Sequence, residues 1–145
     1  MTSTDATPTP PTTQVLVETA LHELFAPWVQ ALGLQVLSST AEETRLRLPH
    51  SEQLTRVGGI VCGQAMMAAA DTAMALALMG HFGAFRPCTT VQLSSTFLKP
   101  LSQQDAIVSA RLLRVGKTMA FGEIDISGAN DGKSVYRAST SYMLM

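Results

Sequence analysis

An α+β domain, with an antiparallel β-sheet wrapped around one long central helix, is the fold class that three features of the sequence predict. The first is an unbroken apolar segment from Ile60 to Gly80 that carries a single charge, Asp71, at its middle. The second is a series of four β-like runs after that segment, separated from one another by a proline, a glycine and an Asn-Asp-Gly turn, so that consecutive strands succeed a helix-containing first half. The third is composition. With 46% hydrophobic and 14% charged residues in 145, the chain can bury one core and is sparing enough with charge to hide further surface against copies of itself.

Taken in order, residues 1–13 are rich in Thr and Pro, hold no Lys or Arg, and read as an unstructured tail rather than a signal or transit peptide, leaving 14–145 as one domain. Residues 14–32 place Leu16, Ala20, Leu24, Phe25, Trp28 and Leu32 at helical spacing, with Pro27 expected to break or kink the helix just after Phe25. Residues 34–39 and 44–49 read as short strands, the second alternating Leu46 and Leu48 with Arg45 and Arg47, and 50–59 as a loop. The long helix is expected from about Cys62 to about His81. Its methionines (66, 67, 74 and 79) read as core filler, and its many alanines would let a sheet wrap closely around it. Being apolar around almost its whole circumference, it is expected to be buried on all sides. Strands are expected at 89–98, 106–115, 118–127 and 134–145, and the fold should be four to six strands curled around that helix.

Several function classes fall away on the same grounds. A formal net charge of −1 offers no electrostatic footprint for nucleic acid. The 60–80 segment is long enough to span a bilayer, but Asp71 at its centre would cost about 3 kcal/mol to insert, so a buried core helix is the better account. Two cysteines, Cys62 and Cys88, make no disulfide framework and suit a reducing, cytoplasmic setting. His22, His50 and His81 have no suitably spaced carboxylate or cysteine, so no metal site is expected.

Asp71 is the residue that asks for an explanation. An ionised carboxylate within an apolar helix must be paired, hydrogen-bonded or engaged in chemistry. Positions three and four residues away are Met67, Ala68, Met74 and Ala75, so its partners must come from elsewhere in the fold, from a second subunit or from a ligand. The alternative is a structural Asp accepting backbone N–H bonds from a loop. Gly58, Gly59 and Gly63 sit before or at the helix start, where unpaired N–H groups could polarise a carbonyl, or where glycines merely shape a sharp turn. Donors for a carbonyl with a carboxylate eight residues on make a candidate acyl-transfer site. Cys62 at the helix N-terminus could act as a nucleophile only if His50 or His81 reached it; otherwise it is a small hydrophobe.

The stretch VCGQAMMAAADTAMALA resembles the helix motif of the PaaI-like, phenylacetate-degradation-type hotdog-fold acyl-CoA thioesterases, which reads H-G-G, six residues, then D-[ST/N]-A. TTVQLSSTFLKPL is similar to that family's inner strand and RLLRVGKTMAFGEIDI to its hairpin, so the resemblance covers about 33–145. It implies a hotdog fold and hydrolysis of an acyl-CoA to free acid and coenzyme A, with coenzyme A entering only within the substrate and no cofactor required. Asp71 would be general base or nucleophile, Gly63 would give its backbone N–H to the thioester oxygen, and Thr90 would orient the water or the carbonyl. Cys62, Gln64 and Arg56 fall on the family's His, second Gly and preceding Asn, places that contact substrate, and Val115, Gly116, Lys117 and Thr118 on a hairpin near the coenzyme A. The family places Asp and Gly across a homodimer interface, and dimers pair into homotetramers. The three departures leave a second reading open, a non-catalytic acyl-CoA-binding protein; a dehydratase of the same fold is weaker, lacking a His and acid pair.

Overall fold

The structure is a computed structural model that describes residues 12–145; the rest of the expected tail, 1–11, lies outside the described residues. Thr12 accepts the Val15 N–H at the N-cap of α1 (Thr13–Glu23), so the last two residues assigned to the tail begin the helix instead. The helical pattern then breaks at Leu24–Ala26, and Pro27 restarts it as the first residue of α2 (Pro27–Gln30), where its missing N–H is no loss. The break turns the expected apolar stripe. Val17, Ala20, Leu21 and Leu32 are buried, whereas Leu24 is exposed and Trp28 is 64% exposed.

β1 (Gln35–Ser39) and β2 (Glu43–Leu48) form a hairpin in which Thr44, Leu46 and Leu48 point into the core and Arg45 and Arg47 away from it. The segment read as a loop carries more order than expected. After a 3-10 turn at Glu52–Leu54, β3 (Thr55–Arg56) pairs with β4 (Ile60–Val61) in a small hairpin. Gly58 and Gly59, at φ +97° and +75°, make the turn that other residues would adopt only with strain. Next comes α3 (Gly63–Phe82), which ends where Gly83, at φ +68°, donates its N–H to the Met79 carbonyl.

β5 (Cys88–Phe97), β6 (Ala106–Val115), β7 (Met119–Gly128) and β8 (Ser134–Leu144) complete a six-stranded sheet of order β1-β2-β6-β7-β8-β5, antiparallel throughout. Its inner face, with Leu46, Val108, Ala110, Ile124 and Ile126, closes on α3 residues such as Ala69, Ala73, Leu76 and Ala77, while α1 covers α3 from another side. Small side chains on the helix let the sheet approach, and the branched ones on the strands fill the space between. Truncating a buried leucine such as Leu46 or Leu76 to alanine should cost about 2–5 kcal/mol.

α3 is not buried all round. Gln64 and Met67 are exposed and Ala68, Asp71 and Ala75 half-buried, a stripe at three- and four-residue spacing that one chain's sheet leaves uncovered. Met67 is thus not core filler, unlike Met66, Met74 and Met79. α3 is long and apolar enough to cross a membrane, but most of it is buried inside the protein. The stripe borders β5, an edge strand of ten residues with one partner, β8, and an exposed Val91.

Candidate active site

A bulge decides what β5 shows to α3. Between Thr90 and Gln92 the register against β8 shifts, so Leu93, Ser95 and Phe97 face inward on one side of it while Cys88 and Thr90 face inward on the other. Without the extra residue, Thr90 would point outward. Thr90 lies directly across from Tyr142, itself inward-facing on β8, and the two hydroxyls meet Asp71 at the middle of α3.

The partners that the sequence left unspecified are therefore two side-chain hydroxyls. Thr90 Oγ1 donates to Asp71 Oδ1 at 2.8 Å, and Tyr142 Oη donates to the same oxygen while also lying 2.8 Å from the Asp71 carbonyl oxygen. Asp71 Oδ2 has no hydrogen-bond partner among the described residues. Among the described residues no loop N–H bonds to this carboxylate; its partners are side-chain hydroxyls from two strands. Burial, and then the Asp71 charge, push the Tyr142 phenol far above its ordinary range, so it remains a donor at any working pH. The same two causes raise the Cys88 thiol.

Around Asp71 lies a cavity of about 260 Å³. Its floor is made of Ala68, Thr72 and Ala75, and its walls of Phe25, Trp28, Val29 and Cys88. Trp28, left outside the core by the break after α1, lines this cavity, and Leu24 lines a neighbouring recess that shares Phe25, Ala75 and Cys88 with it. Sequence periodicity did not single out Tyr142 or the α2 wall. Tyr142 lay in a run with no motif of its own, and only its pairing with Thr90 brings it to the carboxylate.

Gly63 lies elsewhere on the protomer. It opens α3 two turns before Asp71, about 12 Å away along the axis at the helical rise, and the Phe97 ring packs against it so closely that a Cβ would sit 3.1 Å from Cε1. Arg56, Lys99 and Leu98 line a recess of about 400 Å³ at this end, with Phe97 and Gly63. Cys62 is the N-cap of α3, half-buried and making no side-chain cap bond; Gln64 is exposed on the open stripe. His81 stands at the opposite end of α3, bonded to the Ala41 carbonyl, so it cannot serve Cys62 as a base. Among the described residues, no group of three His, Cys, Asp or Glu side chains could hold a metal ion.

The Val115-Gly116-Lys117-Thr118 turn joins β6 to β7 at the sheet end nearest Asp71: Ala120, two residues on, pairs with Tyr142, and Arg86 holds the Lys117 carbonyl at 3.2 Å. One protomer thus brings Asp71, Thr90 and the unanticipated Tyr142 together, keeps the hairpin close by, and holds Gly63, Arg56 and Cys62 apart. A larger concavity of about 460 Å³ on the outer sheet face holds charges that neutralise one another, Arg111 with Glu123 and Arg137 with Asp125.

Comparison with known proteins agrees with this architecture. The family model of the Thioesterase superfamily matches residues 58–135, which hold α3 and most of the sheet beyond it. A Thermoplasma acidophilum protein provisionally named an esterase is 30% identical over 72% of this chain and 80% of its own length. One from Saccharolobus solfataricus, also provisionally named an esterase, is 28% identical over 87% of this chain and 91% of its own. Among solved structures, the PaaI protein of the Escherichia coli phenylacetic acid degradation operon superposes with a TM-score of 0.79 at 18% identity, covering 92% of this chain and 94% of the other.

Proposed function

The chain belongs to the thioesterase superfamily, and from that premise we propose that it hydrolyses an acyl-CoA thioester to the free acid and coenzyme A at Asp71. The observation that carries the reading is the Asp71 carboxylate: one oxygen held by two hydroxyls, the other unpartnered, beside a largely apolar cavity.

Asp71 Oδ2 takes a proton from a water, whose oxygen adds to the thioester carbonyl carbon. Thr90 has committed its own proton to Asp71, so its oxygen lone pairs are free to accept the water's second O–H and fix its orientation. The C–S bond of the tetrahedral intermediate then breaks, and the coenzyme A thiolate leaves with the proton that Asp71 took. Negative charge on the former carbonyl oxygen is met by the Gly63 N–H at the start of α3, one of the helix donors with no internal partner. No metal or redox group enters these steps.

Gly63 and Asp71 of a single chain are too far apart to act on one carbonyl, so the Gly63 donor comes from a second copy and the active unit is a homodimer, with dimers pairing further into a homotetramer. The open α3 stripe and the unpaired edge of β5 support this reading, since both are surfaces that a second copy would cover. The cavity at Asp71 is lined by Phe25, Trp28 and Val29 and suits a compact acyl group. Arg56 and Lys99 at the Gly63 end, and Lys117 at the hairpin, are the cationic groups placed to meet coenzyme A phosphates, and Cys62 and Gln64 flank Gly63 in the chain in place of the His and Gly usual there. Free Cys62 and Cys88 suit a cytoplasmic protein.

Thiol release from a panel of acyl-CoAs, comparing the protein with Asp71→Asn, tests this reading. Release from some member that drops by about 10²-fold or more in the variant is expected. Equal binding of acyl-CoA by both proteins with no thiol release by either would instead make this a binding protein.

A further inference from the structure

We propose that Tyr142 is the positioning residue of the reaction: its buried hydroxyl clamps Oδ1 of Asp71 from behind and so presents Oδ2 alone to the reactants. This rests on the catalytic reading of Asp71 given above.

A carboxylate left alone is free to turn. The last torsion of an aspartate joins sp³ to sp² carbon and is broad and nearly two-fold, so its two oxygens exchange places readily. A base that must meet a water held in one place gains from removing that freedom, because misplacement by an ångström can cost about 10²-fold in rate. Thr90 supplies one restraint, from the edge strand β5.

Tyr142 is differently placed. It lies on β8, hydrogen-bonded on both sides to neighbouring strands: Ala120 is its cross-strand partner on β7 and Thr90 on β5. The residue is only 3% exposed and its ring lies within the core. Its single proton is within reach of both Oδ1 and the main-chain carbonyl of the same residue, so one group fixes the backbone and the side chain of Asp71 together.

A phenol is also a costly choice for a core position that could have been Phe. A buried hydroxyl without a partner costs about 1–3 kcal/mol, and here its partner is the carboxylate itself. Because burial and the neighbouring charge hold the phenol protonated, it never competes with Asp71 as an acid or base. Tyr142 borders the cavity beside Asp71, and its hydroxyl is turned to the carboxylate. It acts through Asp71 only.

The test is Tyr142→Phe in the full-length protein, assayed on whichever acyl-CoA is turned over, alone and combined with Asp71→Asn. The single variant should lower kcat by about 10- to 100-fold, the range for a hydrogen bond to a charged group, with KM changed less than about twofold. In the Asp71→Asn background the same change should cost less than about twofold, since the group through which it acts is already gone. A Tyr142→Phe protein with wild-type kcat, or one whose loss persists in full in the Asp71→Asn background, overturns the inference.

Wild-type activity in Asp71→Asn would instead overturn the catalytic reading of Asp71, whatever Tyr142→Phe does, so the two failures are distinct. Should Tyr142→Phe show no cooperative melting transition, incorporation of 3-fluorotyrosine at position 142 keeps ring and hydroxyl and alters only donor strength. A change in kcat at constant KM then supports the clamp, and an unchanged kcat removes it.

Discussion

The middle of α3 and its N-terminal end face their surroundings in opposite ways. At the middle, Asp71 is tied to two strands of its own chain through Thr90 and Tyr142. At the N-terminal end, Gly63 offers a backbone donor, but around it stand Phe97 at 47% and Leu98 at 51% exposure, with Arg56 and Lys99 lining the same recess. One region is finished in the sense that its carboxylate finds its hydroxyl partners within the chain; the other leaves an apolar rim exposed beside its donor. A single helix thus carries a carboxylate at its middle and, about 12 Å away by its rise, a free backbone donor at its start.

The largest effect should come from the finished half. Asp71→Asn keeps shape and both hydroxyl contacts, so thiol release should fall by about 10²- to 10⁴-fold while the melting temperature changes little, as calorimetry can check. At the unfinished half, Gly63→Val pushes a branched side chain into Phe97, and steady-state assays should show at least about a tenfold loss of activity through a displaced donor and ring. Thr90→Val removes the outer of the two hydroxyls on Asp71 and keeps the strand. Its kcat should fall by about 5- to 15-fold, the equivalent of roughly 1–1.5 kcal/mol, and by less than that of Tyr142→Phe.

A control away from both halves sharpens the contrast. Asp105 accepts the His50 N–H at 2.6 Å and Arg47 Nε at 2.8 Å, and these contacts, in that order, hold its carboxyl below the ordinary value of 3.8. A carboxylate that releases its proton more readily when folded stabilises the fold in full above that ordinary value and loses the contribution as pH falls through the lower, folded one. Asp105→Asn should therefore cost about 1–3 kcal/mol at neutral pH, and the gap in melting temperature from wild type should close as the pH drops below the ordinary carboxylate value of 3.8. Its kcat should be unaffected.

The two regions also differed in how far the sequence disclosed them. Asp71 was conspicuous because a lone charge in an apolar helix demands a partner, and Gly63 because it opens that helix. Tyr142 was not, since the link from β8 to α3 runs through a bulge at Val91 that shifts Thr90 and Cys88 onto the inner face, and no local pattern records a bulge. The four later strands and the long helix were legible within a residue or two, from turn residues and apolar runs. What misled was continuity: helical spacing extended through Pro27 put Trp28 in the core, whereas the restart of the chain as α2 set it 64% exposed at the mouth of the Asp71 cavity. Similarly, an apolar circumference predicted a helix buried on every side, but one chain's sheet reaches only part way round. The uncovered stripe runs from Gln64 through Met67, Ala68 and Asp71 to Ala75.

The most direct measurement is complementation between the two halves. Asp71→Asn and Gly63→Val, each of low activity alone, are unfolded together, refolded as a mixture and assayed for acyl-CoA hydrolysis. If each site takes Asp71 from one chain and Gly63 from the other, every mixed dimer holds one intact site, and random pairing should restore about a quarter of wild-type activity. A mixture that stays at the level of its parents, while mass spectrometry shows mixed dimers present, would contradict a site shared between two chains.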